Sequence, residues 1–324
     1  MARVSLLILN FLLCSAAAAL VRHKREWIPP RKPLVENKDY KNEPVGKIYS
    51  DAEGLMGKKV LYYLEGKGAS QYPFRVFVVD HDTGDIRLTR TLDREEISVY
   101  NLTGVARYTD GTLAEDNILL RYNVLDENDN PPVFGVIKPG AVDELSPPGT
   151  PVMTITATDA DEGINAQIAY SIVSQTPADD MFYITSSGEL RVKKPNLDRE
   201  KVEKYIVVVK GQDMNGDPSG NSATTTVTIN IGDVNDNPPT LEKPYYEGSI
   251  VENTYGVEVM RLKAQDLDLV NTPNWEADFE IVNGNEAGYF TIKNDPVTNE
   301  GIIMLVKVLL LADYPPEWIH VKTN

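Results

Sequence analysis

Two short stretches of the chain concentrate hard oxygen donors at a spacing that could hold a cation. Asp126-Glu127-Asn128-Asp129-Asn130 precedes Pro131-Pro132, and Asp233-Val234-Asn235-Asp236-Asn237 precedes Pro238-Pro239. Asp and Asn side chains and the intervening backbone carbonyls are all oxygen ligands, and the prolines favour an extended connection. Calcium, which takes about six to eight oxygens in irregular geometry, suits such a set; magnesium asks for a more regular octahedron with retained water. Zinc, copper and iron prefer softer ligands, which these stretches lack. A single acidic turn would simply be solvated, so the weight rests on repetition.

The acidic motifs recur in one order and at nearly one period. Asp126 and Asp233 are 107 residues apart, and LDRE occurs at both Leu92–Glu95 and Leu197–Glu200, 105 apart. Asp159-Ala160-Asp161 returns as Asp266-Leu267-Asp268 after 107 residues, and Glu36, Glu144 and Glu252 follow one another at 108. Several motifs sharing a period mark a repeated domain, and about 107 residues is an ordinary domain length. Carboxylates brought together in this way would repel one another without a cation.

The elements that must position these groups read as β-structure. Runs such as Thr154–Thr158, Ile168–Val173, Gly188–Val192, Tyr205–Gly211 and Thr224–Ile231 are short and rich in β-branched residues, with turn signals between them. No long helical periodicity interrupts them. Six or seven short strands per unit predict an all-β chain of tandem Greek-key sandwiches without the Cys pair of antibody domains. The expected units are residues 26–132, 133–239 and 240–324, the last short of a full repeat and so expected to be truncated.

The N-terminus points to secretion. Residues 1–19 have a basic start, a short apolar run and small residues at Ala17-Ala18-Ala19, the layout of a signal peptide. Residues 20–25 then form a short pro-segment ending in Arg22-His23-Lys24-Arg25, a furin-type cleavage sequence. Cutting there removes the sole cysteine, Cys14, and four basic residues, taking the formal net charge from −16 to −20. A cysteine-free mature chain excludes disulfide frameworks and multi-Cys zinc sites. Three histidines in 324 residues leave little room for His-based catalysis. The acidic balance excludes a nucleic-acid partner. The most apolar later run, Ile302–Ala312, is too short to cross a bilayer and contains Lys307.

LDRE, DxNDNPP and DxD in this combination resemble the calcium motifs of the cadherins, from Glu26 to about Lys307. The resemblance implies calcium at each junction, with ligands from one repeat, the linker and the next repeat. At the first junction it implies Glu36, Asp93, Glu95, Asp126, Asn128, Asp129 and the Glu127 carbonyl, joined by the Asn130 carbonyl, Asp159, Asp161, Asn165 and Asp213. At the second it implies Glu144, Asp198, Glu200, Asp233, Asn235, Asp236 and the Val234 carbonyl, joined by the Asn237 carbonyl, Asp266, Asp268 and Asn274. Asp313-Tyr314-Pro315 stands where a third LDRE would fall, with Pro where Glu is expected.

The same resemblance implies adhesion. Cleavage after Arg25 leaves Glu26 first and Trp27 second, the position of the strand-swapping anchor in adherens-junction and desmosomal cadherins. Trp27 would enter a pocket on a cadherin ectodomain of an opposing cell, burying a large apolar ring. Pro29-Pro30 weakens pairing of that strand with its own sheet. Ala106, in Val105-Ala106-Arg107, replaces the centre of a His-Ala-Val tripeptide, and Glu115 falls where a Glu meets the new α-amino group. The missing His-Ala-Val, with Pro73–Asp80 and Phe279–Glu286, is most similar to the desmogleins, with desmocollins as the alternative; the partner would be a desmoglein or desmocollin. The implied location is the outer face of the cell membrane at desmosomal junctions, with the membrane anchor expected beyond residue 324. Asn101-Leu102-Thr103 is the one N-glycosylation sequon.

A hydrolase using paired carboxylates is the competing reading, but it needs one cleft with two unequal acids rather than one acid set repeated at domain period. The Gly-x-Ser-x-Gly and His-Glu-x-x-His motifs are absent as well. No enzyme is expected; a secreted calcium-binding form without adhesion is the other alternative. If Trp27 is the anchor, Trp27→Ala abolishes bead aggregation while calcium binding persists; unchanged aggregation would refute the swap.

Overall fold

The computed structural model describes residues 33–50, 52, 57–308 and 319–323. The signal segment, the convertase sequence, Glu26, Trp27 and Asp313–Pro315 lie outside these. The chain divides into two compact units, one running to Asn130 and including Ala160–Ala166, the other holding Pro131–Asp159 and everything from Gln167.

In the first unit, β1 (Leu34–Val35), β2 (Gly46–Lys47), β3 (Val60–Gly66), β4 (Phe77–Val79), β5 (Asp85–Leu88), β6 (Val99–Tyr108) and β7 (Ile118–Leu125) form two sheets, ordered β1-β7-β6-β3 and β2-β5-β4. Strand alternation builds the core. Along β7, Leu120, Tyr122 and Val124 point inward while their neighbours face out. Phe77 packs on Tyr100 and Tyr122 at ring separations of 4.9 and 4.8 Å.

The second unit repeats this plan. Its strands are β8 (Val133–Phe134), β9 (Gly140–Asp143), β10 (Pro151–Thr154), β11 (Ala157–Thr158), β12 (Ala169–Thr176), β13 (Phe182–Ile184), β14 (Glu189–Val192), β15 (Lys204–Gln212) and β16 (Ser222–Gly232). The larger sheets run β12-β15-β16-β9 and β10-β14-β13. One strand expected over Thr154–Thr158 is broken in two. Ile155 leaves the ladder, is buried, and gives its N–H to the Gly188 carbonyl at 2.9 Å. Tyr205, Val207 and Val209 alternate inward along β15, and Phe182 meets Tyr205 edge-on at 5.1 Å.

Further strands follow in the same unit: β17 (Thr240–Leu241), β18 (Val257–Gln265), β19 (Phe279–Asn283), β20 (Phe290–Asp295), β21 (Glu300–Leu305) and β22 (His320–Thr323). They surround a third apolar cluster of Leu262, Ala264, Ala277, Phe279 and Ile303. Among the described residues no helix is long and apolar enough to cross a membrane.

Parallel pairing of a first strand with a last one positions the acids. β1 lies parallel to β7, with Leu34 opposite Val124 and Val35 opposite Leu125. β9 lies parallel to β16, with Val142 opposite Ile231 and Asp143 opposite Gly232. Glu36 and Glu144 therefore emerge beside the starts of the two oxygen-rich linkers.

Phe182 is 1% exposed, so Phe182→Ala should cost about 3–5 kcal/mol in denaturant unfolding. Val136→Ala, at a fully exposed site, should stay within about 0.5 kcal/mol of the parent.

Candidate metal centre

The glutamates after β1 and β9 are held by backbone donors. Glu36 Oε1 accepts the Glu127 N–H at 2.8 Å and Oε2 the Arg94 N–H at 2.7 Å. Glu144 does the same with the N–H groups of Val234 at 2.9 Å and Arg199 at 2.7 Å. The following residue turns the chain in left-handed conformation: Asn37 (φ 57°), Leu145 (φ 55°) and, after Glu252, Asn253 (φ 58°). Asn tolerates that conformation; Leu does not favour it, so the surrounding hydrogen bonds hold Leu145 there. One is the Leu145 N–H to the Leu197 carbonyl at 3.1 Å, matched by Asn37 to Leu92 at 3.0 Å. Leu92 and Leu197 are buried, and they anchor both LDRE turns.

The result in the first unit is two overlapping acid triads sharing Glu95. Glu36, Asp93 and Glu95 each offer an oxygen within 4.8 Å of the others, as do Glu95, Asp129 and Asp161. In the second unit, Glu144, Asp198 and Glu200 gather in the same way, and Glu200 also meets Asp233 and Asp268. The linker asparagines brace the sets. Asn130 Nδ2 donates to Asp129 at 2.7 Å and Asp161 at 2.8 Å, and Asn237 Nδ2 to Asp236 at 2.7 Å and Asp268 at 3.0 Å.

Crowding raises several carboxyl pKa values. Burial, then sharing with Glu36, pushes Glu95 up to about 7. Glu200 rises for the corresponding reasons, burial and then Glu144. Burial and then neighbouring carboxylates raise Asp236 and Asp266. Asp268 is 1% exposed, and its Oδ2 is buried without a hydrogen-bond partner. A hard cation fits these groups, because it satisfies a buried anionic oxygen and cancels the repulsion.

The remaining expected residues fall as follows. Asn165 and Asn274 present Nδ2, not an oxygen, to Asp126 and Asp233, each at 2.8 Å. Asn235 Nδ2 reaches the Asn274 carbonyl at 3.4 Å, and Asn128 lies between Glu127 and Asp129 in the linker. The Glu127 carbonyl accepts the Asp129 N–H at 2.8 Å, which leaves it a second lone pair. Asp266 Oδ1 accepts the Asp268 N–H at 2.8 Å. Asp159 and Asp213 belong to the second unit, where Asp213 is wholly buried and opens a turn through left-handed Met214 and Asn215. Glu252 is exposed and joins no acid triad among the described residues.

Two arginines that the motif reading passed over stand inside these clusters. Arg94 bonds Asp126 and Glu95, and Arg199 bonds Asp233 and Glu200. Their signal was the third letter of LDRE. The pocket residues lie elsewhere in the first unit. Ala106, on β6, is buried opposite Tyr62, and its carbonyl accepts the Ala114 N–H at 2.9 Å. Next along the chain, Glu115 Oε1 accepts the Ser50 hydroxyl at 2.9 Å, and Ser50 N–H donates to the Tyr62 hydroxyl at 3.1 Å. Asn101 sits on the exposed side of β6, opposite Arg121.

Comparison with known proteins gives one consistent neighbourhood. The sequence profile described as "Cadherin domain" matches residues 36–125 and 138–232. Desmoglein-2 of Mus musculus is 45% identical over 295 residues, 89% of this chain and 26% of the relative. Cadherin-4 of Gallus gallus is 40% identical over 303 residues, 91% of this chain and 33% of the relative. The human Desmocollin-1 ectodomain superposes with a TM-score of 0.76 at 38% identity, covering 88% of this chain and 53% of that one. The chain thus spans about a quarter to a third of the length of these curated relatives. These relatives are not enzymes.

The raised carboxyls carry a pH prediction. A group whose folded pKa lies above its ordinary value near 4.5 stabilises the fold fully below that value and loses the contribution as pH rises to about 7. Depressed carboxyls such as Asp110 act lower, from the ordinary range down to about 2. In metal-free buffer the unfolding midpoint should therefore fall between pH 4.5 and 7. A flat or rising midpoint would contradict the crowding.

Proposed function

The chain belongs to the cadherin family, and on that premise we propose that it is the adhesive outer portion of a desmosomal, desmoglein-like cadherin that binds calcium between its repeats. The observation that carries this reading is the pair of matching acid clusters, each built from a β-strand exit, an LDRE turn and a DxNDN linker.

Calcium is the group these residues fit. In the first set Glu36, Asp93, Glu95, Asp126, Asp129 and Asp161 would hold it, with the Glu127 and Asn130 carbonyls, Asn128 and Asn165; Asp159 and Asp213 complete the proposed set. In the second, Glu144, Asp198, Glu200, Asp233, Asp236, Asp266 and Asp268 would do so, with the Val234 and Asn237 carbonyls, Asn235 and Asn274. When bound, calcium supplies positive charge and oxygen coordination, and so stiffens the junctions. The division into repeats at 26–132, 133–239 and 240–324 is part of this proposal, and three separate apolar cores support it.

Adhesion is proposed through exchange of the N-terminal strand, with Trp27 in a partner's pocket and Glu26 supplying the free amine. A small buried Ala106 opposite Tyr62, whose hydroxyl meets Ser50 and through it Glu115, supports that pocket. Glu115 already has the Ser50 hydroxyl as a donor, so its carboxylate is held in place before an amine arrives. The partners would be desmoglein or desmocollin ectodomains on opposing cells, and the location the cell surface at desmosomal junctions. Asn101, exposed on β6, is the proposed glycan site.

Beads coated with the chain processed after Arg25 should aggregate in calcium and disperse in a chelator. Asp129→Ala should weaken aggregation and make the 126–132 linker protease-sensitive even in calcium. Aggregation indifferent to the chelator would overturn the reading.

A further inference from the structure

Asp213, one of the residues proposed to hold calcium, is wholly buried, and a short loop between β15 and β16 keeps it there. The loop runs through three consecutive left-handed residues, Met214 (φ 48°), Asn215 (φ 56°) and Gly216 (φ 84°). That backbone is costly for Met above all, so it persists only where its surroundings fix it. The Asp213 N–H ties the two ends of the loop by donating to the Asn221 carbonyl at 3.1 Å, and the Asn215 N–H holds its tip by donating to the Gln167 carbonyl at 2.6 Å. Asp217 Oδ1 then accepts the Ser219 N–H at 2.8 Å and the Ser219 hydroxyl at 2.6 Å, which turns the chain back.

Two residues outside the proposed ligand set close this loop. Gln212, the last residue of β15, sends its Nε2 across to the Asp217 carbonyl at 2.7 Å and to the Gly220 carbonyl at 3.4 Å. Lys210 Nζ donates to Gln212 Oε1 at 2.8 Å, so the amide turns its donor end to the loop. Gly220 packs directly on the aspartate. A Cβ there would overlap Asp213 Oδ1 and stand 2.9 Å from the Asp213 carbonyl oxygen and 3.1 Å from that of Asp217. What position 220 demands is therefore space for the Asp213 carboxylate, not an unusual backbone angle.

We propose that Gln212 and Gly220 are positioning residues for calcium at the first set, clasping the 213–221 loop so that the Asp213 carboxylate is placed before the ion arrives. Gln212 fixes the shape of the loop through two of its carbonyls, and Gly220 leaves the carboxylate its room. A carboxylate placed in advance spares the ion the cost of ordering the loop, so the clasp acts on affinity rather than on the number of ions bound. The inference rests on the calcium reading and narrows it to one aspartate of the first set. The second set takes no residue from this loop and so serves as a control within the same molecule.

The test uses the secreted chain and limited proteolysis over a calcium series, reading how much calcium half-protects each linker, 126–132 and 233–239. In Gln212→Met, which keeps the length of the side chain but loses both donors, half-protection of the first linker should need roughly ten-fold more calcium. Gly220→Ala should act in the same direction by crowding Asp213, and Lys210→Met, which only frees the amide to turn over, should shift the first linker less. For Gln212→Met, half-protection of the second linker and the unfolding midpoint in metal-free buffer should match the parent, which separates positioning from a folding defect even where Gly220→Ala misfolds. An unchanged first linker in Gln212→Met, or equal shifts at both linkers, would overturn the clasp while leaving the calcium reading in place. A parent that calcium protects at neither linker would overturn the calcium reading and the clasp together.

Discussion

Like charges held together against their repulsion are the constraint around which this chain is organised. Parallel pairing of β1 with β7 and of β9 with β16 delivers a glutamate to the start of each linker, and backbone N–H groups fix both of its oxygens. Buried leucines anchor the LDRE turns beside it. Hydrophobic packing inside each sandwich thus supplies the free energy that gathers the acids at its end. The cost appears locally, in Glu95 and Glu200 with raised pKa values and in the buried, unpartnered oxygen of Asp268. A cation lowers that cost more than any rearrangement of the acids could, since their positions follow from the sheets.

Two kinds of positive charge answer this constraint. The arginines are permanent and tie together segments far apart in sequence; calcium, in the proposed function, is exchangeable and reports the ion content of the surroundings. Such a division suits the proposed function, in which the chain would be firm only when calcium is bound. It also gives the acidity of the chain a place. Among the carboxylates, fifteen fall in the two proposed sets, against a formal net charge of −16. Those groups would be neutralised by bound metal rather than left as a solubilising surface. If the expected leader carrying Cys14 is removed, ion binding would, in the proposed function, take on part of the stabilising role that disulfides have in secreted domains.

Much of this was readable from the residues. Glu36 and Glu144 recur at the domain period because their position depends on a local exit from a strand, and the structure brings both to acid triads. The LDRE acids, with Asp129 and Asp233 of the linkers, fall in those triads as well, whereas Asp126 and Asp236 do not. What the sequence did not disclose depends on distant partners. Arg94 and Arg199 look like ordinary surface charges until the Ala160 and Leu267 carbonyls are seen beside them. The break at Ile155 depends on Gly188, 33 residues on, and a β-branched run gives no sign of it. Leu145 has no left-handed propensity, and only the turn it shares with Asn37 and Asn253 accounts for its conformation. Trp27 lies outside the described residues, so its role still rests on the cleavage sequence before it.

The central claim is that the gathered acids form calcium sites coupled to the fold. Its most direct measurement is calorimetric titration of the secreted chain with calcium, paired with unfolding midpoints at rising calcium and, separately, rising magnesium. The account predicts uptake of more than one calcium ion per chain, release of protons near neutral pH, and a midpoint that climbs with calcium but little with magnesium. No calcium uptake, or equal stabilisation by magnesium, would contradict it.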